Sequence, residues 1–311
     1  MFINTDSKFI WMNGEFLKWD ETKVHALTHT LHYGVGVFEG VRAYKNDLGG
    51  AIFRLDDHTR RLFDAASKVN IDIPYSIEDL NQIQKDTLKQ NKLEEAYIRP
   101  IVFFGSEELG LRASDLSVNV AVACWEWPSY MDPEKKKNGI SIVTSPYKQY
   151  ENPLYSNNKI VGTYVNSIMA LHDALARGSD EALLMDIKGN ISEGSGENLF
   201  IVKNGDIFTP TTENCLNGIT RQSIIKIASD LNLKVKELNL QYEDLLDADE
   251  AFFTGTAVEV TPISRVDDRI IGSGKIGSTT QKLQSIFEDI VSAKNNPVSY
   301  THLRAHETSV N

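Results

Sequence analysis

An α+β fold in two α/β domains is the architecture this sequence predicts, and three observations predict it. The chain has 311 residues, enough for two separate cores. Short apolar runs of strand character are interleaved with segments of helical periodicity along its length. Between Pro128 and Gly139 both patterns stop at an Asp132-Pro133 step and three consecutive lysines, which read as a linker. The expected division is a first domain over residues 1–127, a linker over 128–139 and a second domain over 140–296, with 297–311 set apart.

Composition narrows the function. A hydrophobic content of 41% fits a globular protein, and 32 Lys and Arg against 43 Asp and Glu leave a formal net charge of −11. Such a surface repels nucleic acid and acidic membranes, so an anionic cofactor would need a local basic pocket. The two cysteines, Cys124 and Cys215, are too few for a disulfide framework and are not spaced as metal ligands, which points to the reducing cytoplasm. No leader-like N-terminus and no apolar run long enough to span a membrane occur, so neither export nor membrane association is expected. His25, His29 and His32 would share one face of a helix, but Thr28, Thr30, Gly34 and Gly36 disfavour a helix there, and no metal site is expected.

In the first domain, Phe9 to Leu17 holds two apolar runs joined by Asn13-Gly14, a hairpin signal. Leu31 to Tyr44 leads from a glycine-rich loop into a strand. Gly34-x-Gly36 is part of a dinucleotide-binding fingerprint, but position 39 is Glu where a third glycine belongs, and strand rather than helix follows. A nicotinamide site is therefore disfavoured. Ala51–Leu55 is a strand, and Asp56 or Asp57 is the expected cap of a helix carrying His58-Thr-Arg60-Arg61-Leu62. Ser76-x-x-Asp79 opens a second helix that ends near Lys92. Ala96 to Gly105 is apolar nearly throughout and reads as a central strand, in which Arg99 calls for an anion. Leu116 to Trp125 is a further strand.

In the second domain, Ile140 to Thr144 reads as a strand and Thr163 to Arg177 as a helix stopped by Gly178. Glu181 to Ile187 is a strand. The stretch from Ile191 to Pro210 begins as polar loop, with Glu193 just before Gly194 and Gly196, two positions suited to positive φ. It continues as the strand Leu199–Val202 and turns back at Asn204-Gly205. Gly218 precedes a helix whose first amides suit a phosphate. Residues 249–256 form a strand ending in a small-residue turn, and a helix over 281–293 closes the domain.

Four motifs, Ser156-Asn-Asn-Lys159-Ile-Val-Gly162-Thr-Tyr164, Ser192-Glu193-Gly-Ser-Gly-Glu-Asn198, Leu216-Asn-Gly218-Ile219-Thr220-Arg221 and Thr254-Gly255-Thr256-Ala257, occur in one order over most of the chain. Together they resemble the class IV, fold-type IV aminotransferases that use pyridoxal 5′-phosphate. His32-Tyr33-Gly34, Phe38-Glu39-Gly40 and Tyr97-Ile98-Arg99-Pro100 narrow the resemblance to the branched-chain amino-acid aminotransferases. The D-amino-acid aminotransferases and aminodeoxychorismate lyases of the same fold are the alternative.

The resemblance implies an active site at the interface of the two domains and a transaminase for leucine, isoleucine and valine, with the direction of the reaction left open. Lys159 is the catalytic lysine that carries the cofactor, and Glu193 faces its ring nitrogen. Tyr164 meets the phenolic oxygen, while Arg61, Gly218, Ile219, Thr220 and Thr256 hold the phosphate. Tyr33 and Arg99 meet a glutamate side chain, and Phe38, Trp127 and Tyr130 surround a branched one. Tyr97 with the amides of Thr256 and Ala257 takes the α-carboxylate. Tyr33 and the loop at Leu111 reach in from a neighbouring subunit, so a homodimer or higher homo-oligomer is expected, with amino acids and 2-oxo acids as small-molecule partners. Ile160, Val161 and Thr163 depart from one common form of the family. Pro297 to Thr308 resembles no family terminus; it looks like translated sequencing-adapter DNA and is expected to be disordered or packed by accident.

Overall fold

The computed structural model describes residues 8–46, 49–112, 115–127, 133–292 and 306–308. The chain forms two compact units. One comprises Met1–Pro128, Lys159–Thr163 and Ile290–Asn311, the other Ser129–Asn158 and Tyr164–Asp289. Among the described residues no helix is long and apolar enough to cross a membrane.

The first unit runs β1 (Phe9–Met12), β2 (Glu15–Lys18), α1 (His29–Tyr33), β3 (Gly36–Phe38), β4 (Val41–Asn46), β5 (Gly49–Ile52), α2 (Leu55–Lys68), α3 (Ile77–Asn91), β6 (Ala96–Phe104) and β7 (Val118–Trp125). The β1–β2 hairpin turns on Asn13 and Gly14 at φ of 51° and 105°, both left-handed as a two-residue turn of this kind requires. Its sheet has the order β5-β4-β6-β7-β1-β2, and β3 also pairs with β6. β3 lies opposite residues 101–103 and β4 opposite residues 96–98, so the chain breaks its ladder at Glu39-Gly40, beside Arg99-Pro100. Pro100 has no N–H to offer there, and its carbonyl takes the Glu39 amide at 3.0 Å. This break gathers Phe38, Glu39, Tyr97 and Arg99 at the centre of the sheet. Residues His306–Thr308 pair antiparallel with β5, so part of the tail adds to a sheet edge.

Two expectations for this unit are corrected. His29–Tyr33 does form one turn of helix, closed by Gly34 at φ 72° with its N–H on Thr30 O; a single turn costs little propensity when glycine ends it. Helix α2 is entered through Arg54 in a left-handed conformation with no side-chain cap. Asp56 and Asp57 sit in its first turn, where they favour the helix dipole. The Ser76/Asp79 capping box on α3 is present in full.

The second unit runs α4 (Pro133–Asn138), β8 (Ile140–Thr144), α5 (Pro153–Ser156), α6 (Tyr164–Ala176), β9 (Glu181–Met185), β10 (Ile191–Gly194), β11 (Asn198–Lys203), β12 (Asp206–Thr209), α7 (Ile219–Asp230), β13 (Val235–Glu237), α8 (Tyr242–Leu246), β14 (Glu250–Gly255), β15 (Glu259–Val266), β16 (Arg269–Ile270) and α9 (Ser278–Val291). Its sheet order is β10-β9-β8-β15-β14-β11-β12-β13, with β16 on β15. The stacked rings of Phe200 and Phe252, 5.0 Å apart, are fully buried. Each contributes about 1.5–3 kcal/mol by leaving water.

The lysine run is not all loop. Residues 133–138 form α4, in which Lys135 pairs with Asp180, and Lys136 reaches Glu259 at 2.5 Å and Glu288 at 2.9 Å. Those partners lie far along the chain, so local composition could not reveal them. Residues 191–194 are strand rather than loop, because they pair with β9 across a bulge between Ile191 and Glu193. Neither Gly194 nor Gly196 has positive φ. Gly194 is needed for space instead, since a Cβ there would lie 2.8 Å from Glu197 Oε2 and 3.1 Å from the Phe253 ring.

Candidate active site

In the first unit the segment Lys159–Thr163 lies along β3. Phe38 N–H donates to Lys159 O at 3.1 Å, Gly162 N–H donates to Gly34 O at 2.9 Å, and Val37 and Ile160 form an antiparallel bridge. The two backbones approach so closely that a Cβ on Gly34 would sit 2.8 Å from Gly162 Cα. The same contact carries the lysine amine to the aromatic cluster, with Nζ 5.7 Å from the centre of the Phe38 ring.

Arg99 shares that ring. Its guanidinium carbon lies 4.7 Å from the Phe38 centroid and 5.3 Å from that of Tyr97, and Nη2 donates to Tyr97 Oη at 3.3 Å. Arg99 Nε is buried with no hydrogen-bond partner, and among the described residues no carboxylate pairs with this cation. Tyr97 packs tilted against both Trp125 and Trp127, with ring centroids at 5.3 Å and 4.9 Å. Gly40 is required here because a Cβ would strike the Tyr97 hydroxyl. Tyr33 packs on His29 and is 42% exposed, while Leu111 is 92% exposed. Neither joins the Phe38 cluster within its own unit. Tyr130 lies outside the described residues. His29 and His32 each engage a backbone carbonyl, of Gly110 and Ala26.

Arg61, placed on the buried side of α2, is gripped by a carboxylate that the sequence reading gave no role. Its Nε and Nη2 donate to Glu39 Oε1 at 2.7 Å and Oε2 at 2.9 Å, and His58 Nδ1 donates to Oε2 at 2.8 Å. Glu39 and His58 are each 1% exposed. Burial pushes the Glu39 carboxyl up, but the Arg61 charge and the His58 hydrogen bond outweigh it and hold the carboxyl well below the usual carboxylate range. Burial pushes the His58 imidazole down against the pull of Glu39, consistent with a neutral ring donating from Nδ1. Adjacent Arg60 is solvent-facing and pairs with Asp56.

The second unit carries its own set. Glu193, 8% exposed, receives Gln149 Nε2 at 2.5 Å and Leu216 N–H at 3.2 Å. Gln149 is fixed by Tyr150 N–H, which donates to its Oε1 at 2.9 Å, so its amino group faces Glu193. Gly218 opens the 12-residue helix α7 in extended conformation, and Ile219 and Thr220 begin the helix buried. Asn198 Nδ2 donates to Leu216 O at 2.8 Å and secures the lead-in to that helix. Thr254 Oγ1, on β14 beside Asn198, is buried without a hydrogen-bond partner. The strand then yields the half-buried turn of Thr256 and Ala257. Tyr164 is the half-buried first residue of α6.

Glu39, His58, Gln149 and Thr254 carry this chemistry without having been assigned it. An acid in an apolar strand at Glu39, and a histidine one turn before Arg61, were the available signals.

A family model for amino-transferase class IV matches residues 36–266, more than half of the chain, and the chain belongs to that family. Within it, the chain is 50% identical over 286 residues to the branched-chain-amino-acid aminotransferase of Pseudomonas aeruginosa PAO1, covering 92% of this chain and 93% of the relative. It is 39% identical over 282 residues to the enzyme of that name from Escherichia coli K12, covering 90% and 91%. Among solved structures it is similar to the T.th. branched-chain amino acid aminotransferase with pyridoxamine 5′-phosphate, with a TM-score of 0.93 at 39% identity over 98% of this chain and 99% of that one.

The donors present fit a phosphorylated pyridine cofactor. A helix N-terminus offers backbone N–H groups that the helix itself does not use. The buried Thr254 hydroxyl lacks a partner, and Gln149 Nε2 and Leu216 N–H, both neutral donors, hold the Glu193 carboxylate in place.

Proposed function

We propose that this protein is a pyridoxal 5′-phosphate-dependent transaminase that moves the amino group between L-leucine, L-isoleucine or L-valine and 2-oxoglutarate, giving branched-chain 2-oxo acids and L-glutamate. The observation that carries this reading is Arg99, a cation walled by Phe38 and Tyr97 with a buried donor to spare. One pocket must take both an apolar side chain and a carboxylate, and a wholly apolar pocket would reject the second. A cation resting on aromatic faces serves both, because the rings meet its charge when an apolar side chain is bound and leave a donor for a carboxylate when an acidic one is.

When bound, the cofactor supplies an electron sink for the pair left at the amino-acid Cα. Lys159 Nζ would be its attachment point and, once released, would carry the proton between the amino-acid Cα and the cofactor's C4′, as base and then as acid within each half-reaction. Glu193 faces the ring nitrogen, where a carboxylate raises proton affinity. Tyr164 hydrogen-bonds the phenolic oxygen, and Arg61 with Gly218, Ile219, Thr220 and Thr256 holds the phosphate. Tyr33 and Arg99 meet the glutamate side chain. Phe38, Trp127 and Tyr130 surround the branched chain, and Tyr97 with the Thr256 and Ala257 amides takes the α-carboxylate. Tyr33 and Leu111 act across a homodimer, which their exposure in the single chain supports. Both cysteines are free and buried, and burial pushes the Cys124 thiol up to about 12, in keeping with a reducing cytoplasm and no thiol switch.

Product analysis after incubation with 2-oxoglutarate and each donor tests the reading. L-leucine should give 4-methyl-2-oxopentanoate and L-glutamate in equal amounts, and amino transfer from D-alanine in preference would assign the protein to the other branch of the fold.

A further inference from the structure

Arg61 stands at the end of a hydrogen-bonded chain that begins in the core of the first unit. Glu39 is fixed through its backbone, with N–H on Pro100 O at 3.0 Å. Its Oε1 serves Arg61 Nε, while Oε2 receives Arg61 Nη2, His58 Nδ1 and, at 3.3 Å, the Gly40 N–H. The final torsion of a glutamate side chain is broad, so backbone anchoring alone leaves the carboxylate free to swivel. A second donor on the same carboxylate, His58 Nδ1 on Oε2, restricts that freedom. His58 is three residues before Arg61 on α2, so both side chains leave the same helix face and meet one carboxylate.

We propose that His58 is a positioning residue for Arg61, holding the Glu39 carboxylate so that its fork fixes the plane of the guanidinium in the orientation that receives the cofactor phosphate. The inference rests on the reading of Arg61 as a phosphate ligand. Stability does not account for the arrangement, since a buried ion pair is commonly no more stabilising than apolar residues of the same volume, whereas bidentate recognition of phosphate depends on the angle of the fork. A neutral His58 adds no charge to the pair. Replacing it therefore changes geometry while leaving the charge seen by the phosphate as it was.

The test is to titrate apoenzyme variants with pyridoxal 5′-phosphate and, separately, with pyridoxal, which has the same ring and no phosphate. His58→Leu should weaken pyridoxal 5′-phosphate binding about tenfold and pyridoxal less than about twofold, and His58→Asn, which restores an N–H donor, should lie within about threefold of the parent for both. Equal loss for the two ligands, or loss for neither, overturns the inference. Arg61→Ala separates it from the reading beneath. If that variant shows no selective loss of the phosphorylated ligand, the phosphate role of Arg61 fails, and the inference with it. If Arg61→Ala is selective and His58→Leu is not, the inference alone fails. Should His58→Leu not fold, Glu39→Gln carries the same comparison: a selective loss of pyridoxal 5′-phosphate supports positioning, and unchanged or tighter binding refutes it by showing that the carboxylate only masks the arginine charge.

Discussion

In the proposed reaction, Arg99 is the residue on which substrate choice would turn. An arginine in a central strand is costly to bury, and here its charge is met by two aromatic faces and a tyrosine oxygen rather than by an acid. Such a site is poised for an incoming carboxylate. Arg99→Ala should raise KM for L-glutamate and 2-oxoglutarate by about 30- to 100-fold, the loss of a charged hydrogen bond in a desolvated site, and change KM for L-leucine by less than about threefold. Initial-rate kinetics with both donors would decide it, and a parallel loss for leucine would remove Arg99 from side-chain recognition. Lys159, Arg99 and Glu193 stand out in the sequence through local motifs, and the proposed chemistry assigns each of them a role. Glu39 and His58 do not, since their pairing joins residues 19 apart and the Glu39–Arg61 fork joins residues 22 apart on separate elements.

The elements legible in the sequence are those whose causes are local. Asn13-Gly14 encodes its turn, Ser76 and Asp79 encode a capping box, and Gly218 encodes a helix start, each through groups within a few residues of one another. The strand of residues 96–104 was readable from its apolar run because sheet neighbours cover it on both sides. Where tertiary partners set the structure, local reading stopped short. Lys135 and Lys136 look like loop until Asp180, Glu259 and Glu288 neutralise them along α4. Residues 191–194 look like loop until β9 pairs with them. Residues 259–266 form β15 between β14 and β8, with Pro262 opposite Phe252. At Gly34 and Gly162 the sequence offered glycines, and only the fold explains them, because the two backbones touch where the lysine segment lies on β3.

At the scale of the molecule, Lys159 to Thr163 belongs with the first unit although the residues on either side belong with the second. The chain thus carries its lysine out of one unit and returns at Tyr164. Exposed apolar side chains occur in both units, with Leu31 at 65% and Leu111 at 92% in the first, and Val165, Ile168 and Leu175 at 50–58% along α6 in the second. Monomers seldom expose contiguous apolar patches, and Val165 and Ile168 lie three residues apart on one face of α6. Sedimentation equilibrium of the active protein should therefore give the mass of a dimer or a larger assembly, and a fully active species with the mass of one chain would exclude the shared-site proposal for Tyr33 and Leu111. The proposed reaction itself stands on a lysine that carries the cofactor and a pocket that accepts both a branched and an acidic amino acid. The measurement to make first is the visible absorption spectrum of protein reconstituted with pyridoxal 5′-phosphate, recorded before and after L-leucine and again after 2-oxoglutarate, beside Lys159→Ala. The lysine-bound cofactor band should fade with L-leucine, return with 2-oxoglutarate and be missing in the variant. A band that ignores L-leucine, or one that survives the loss of Lys159, would contradict the proposal.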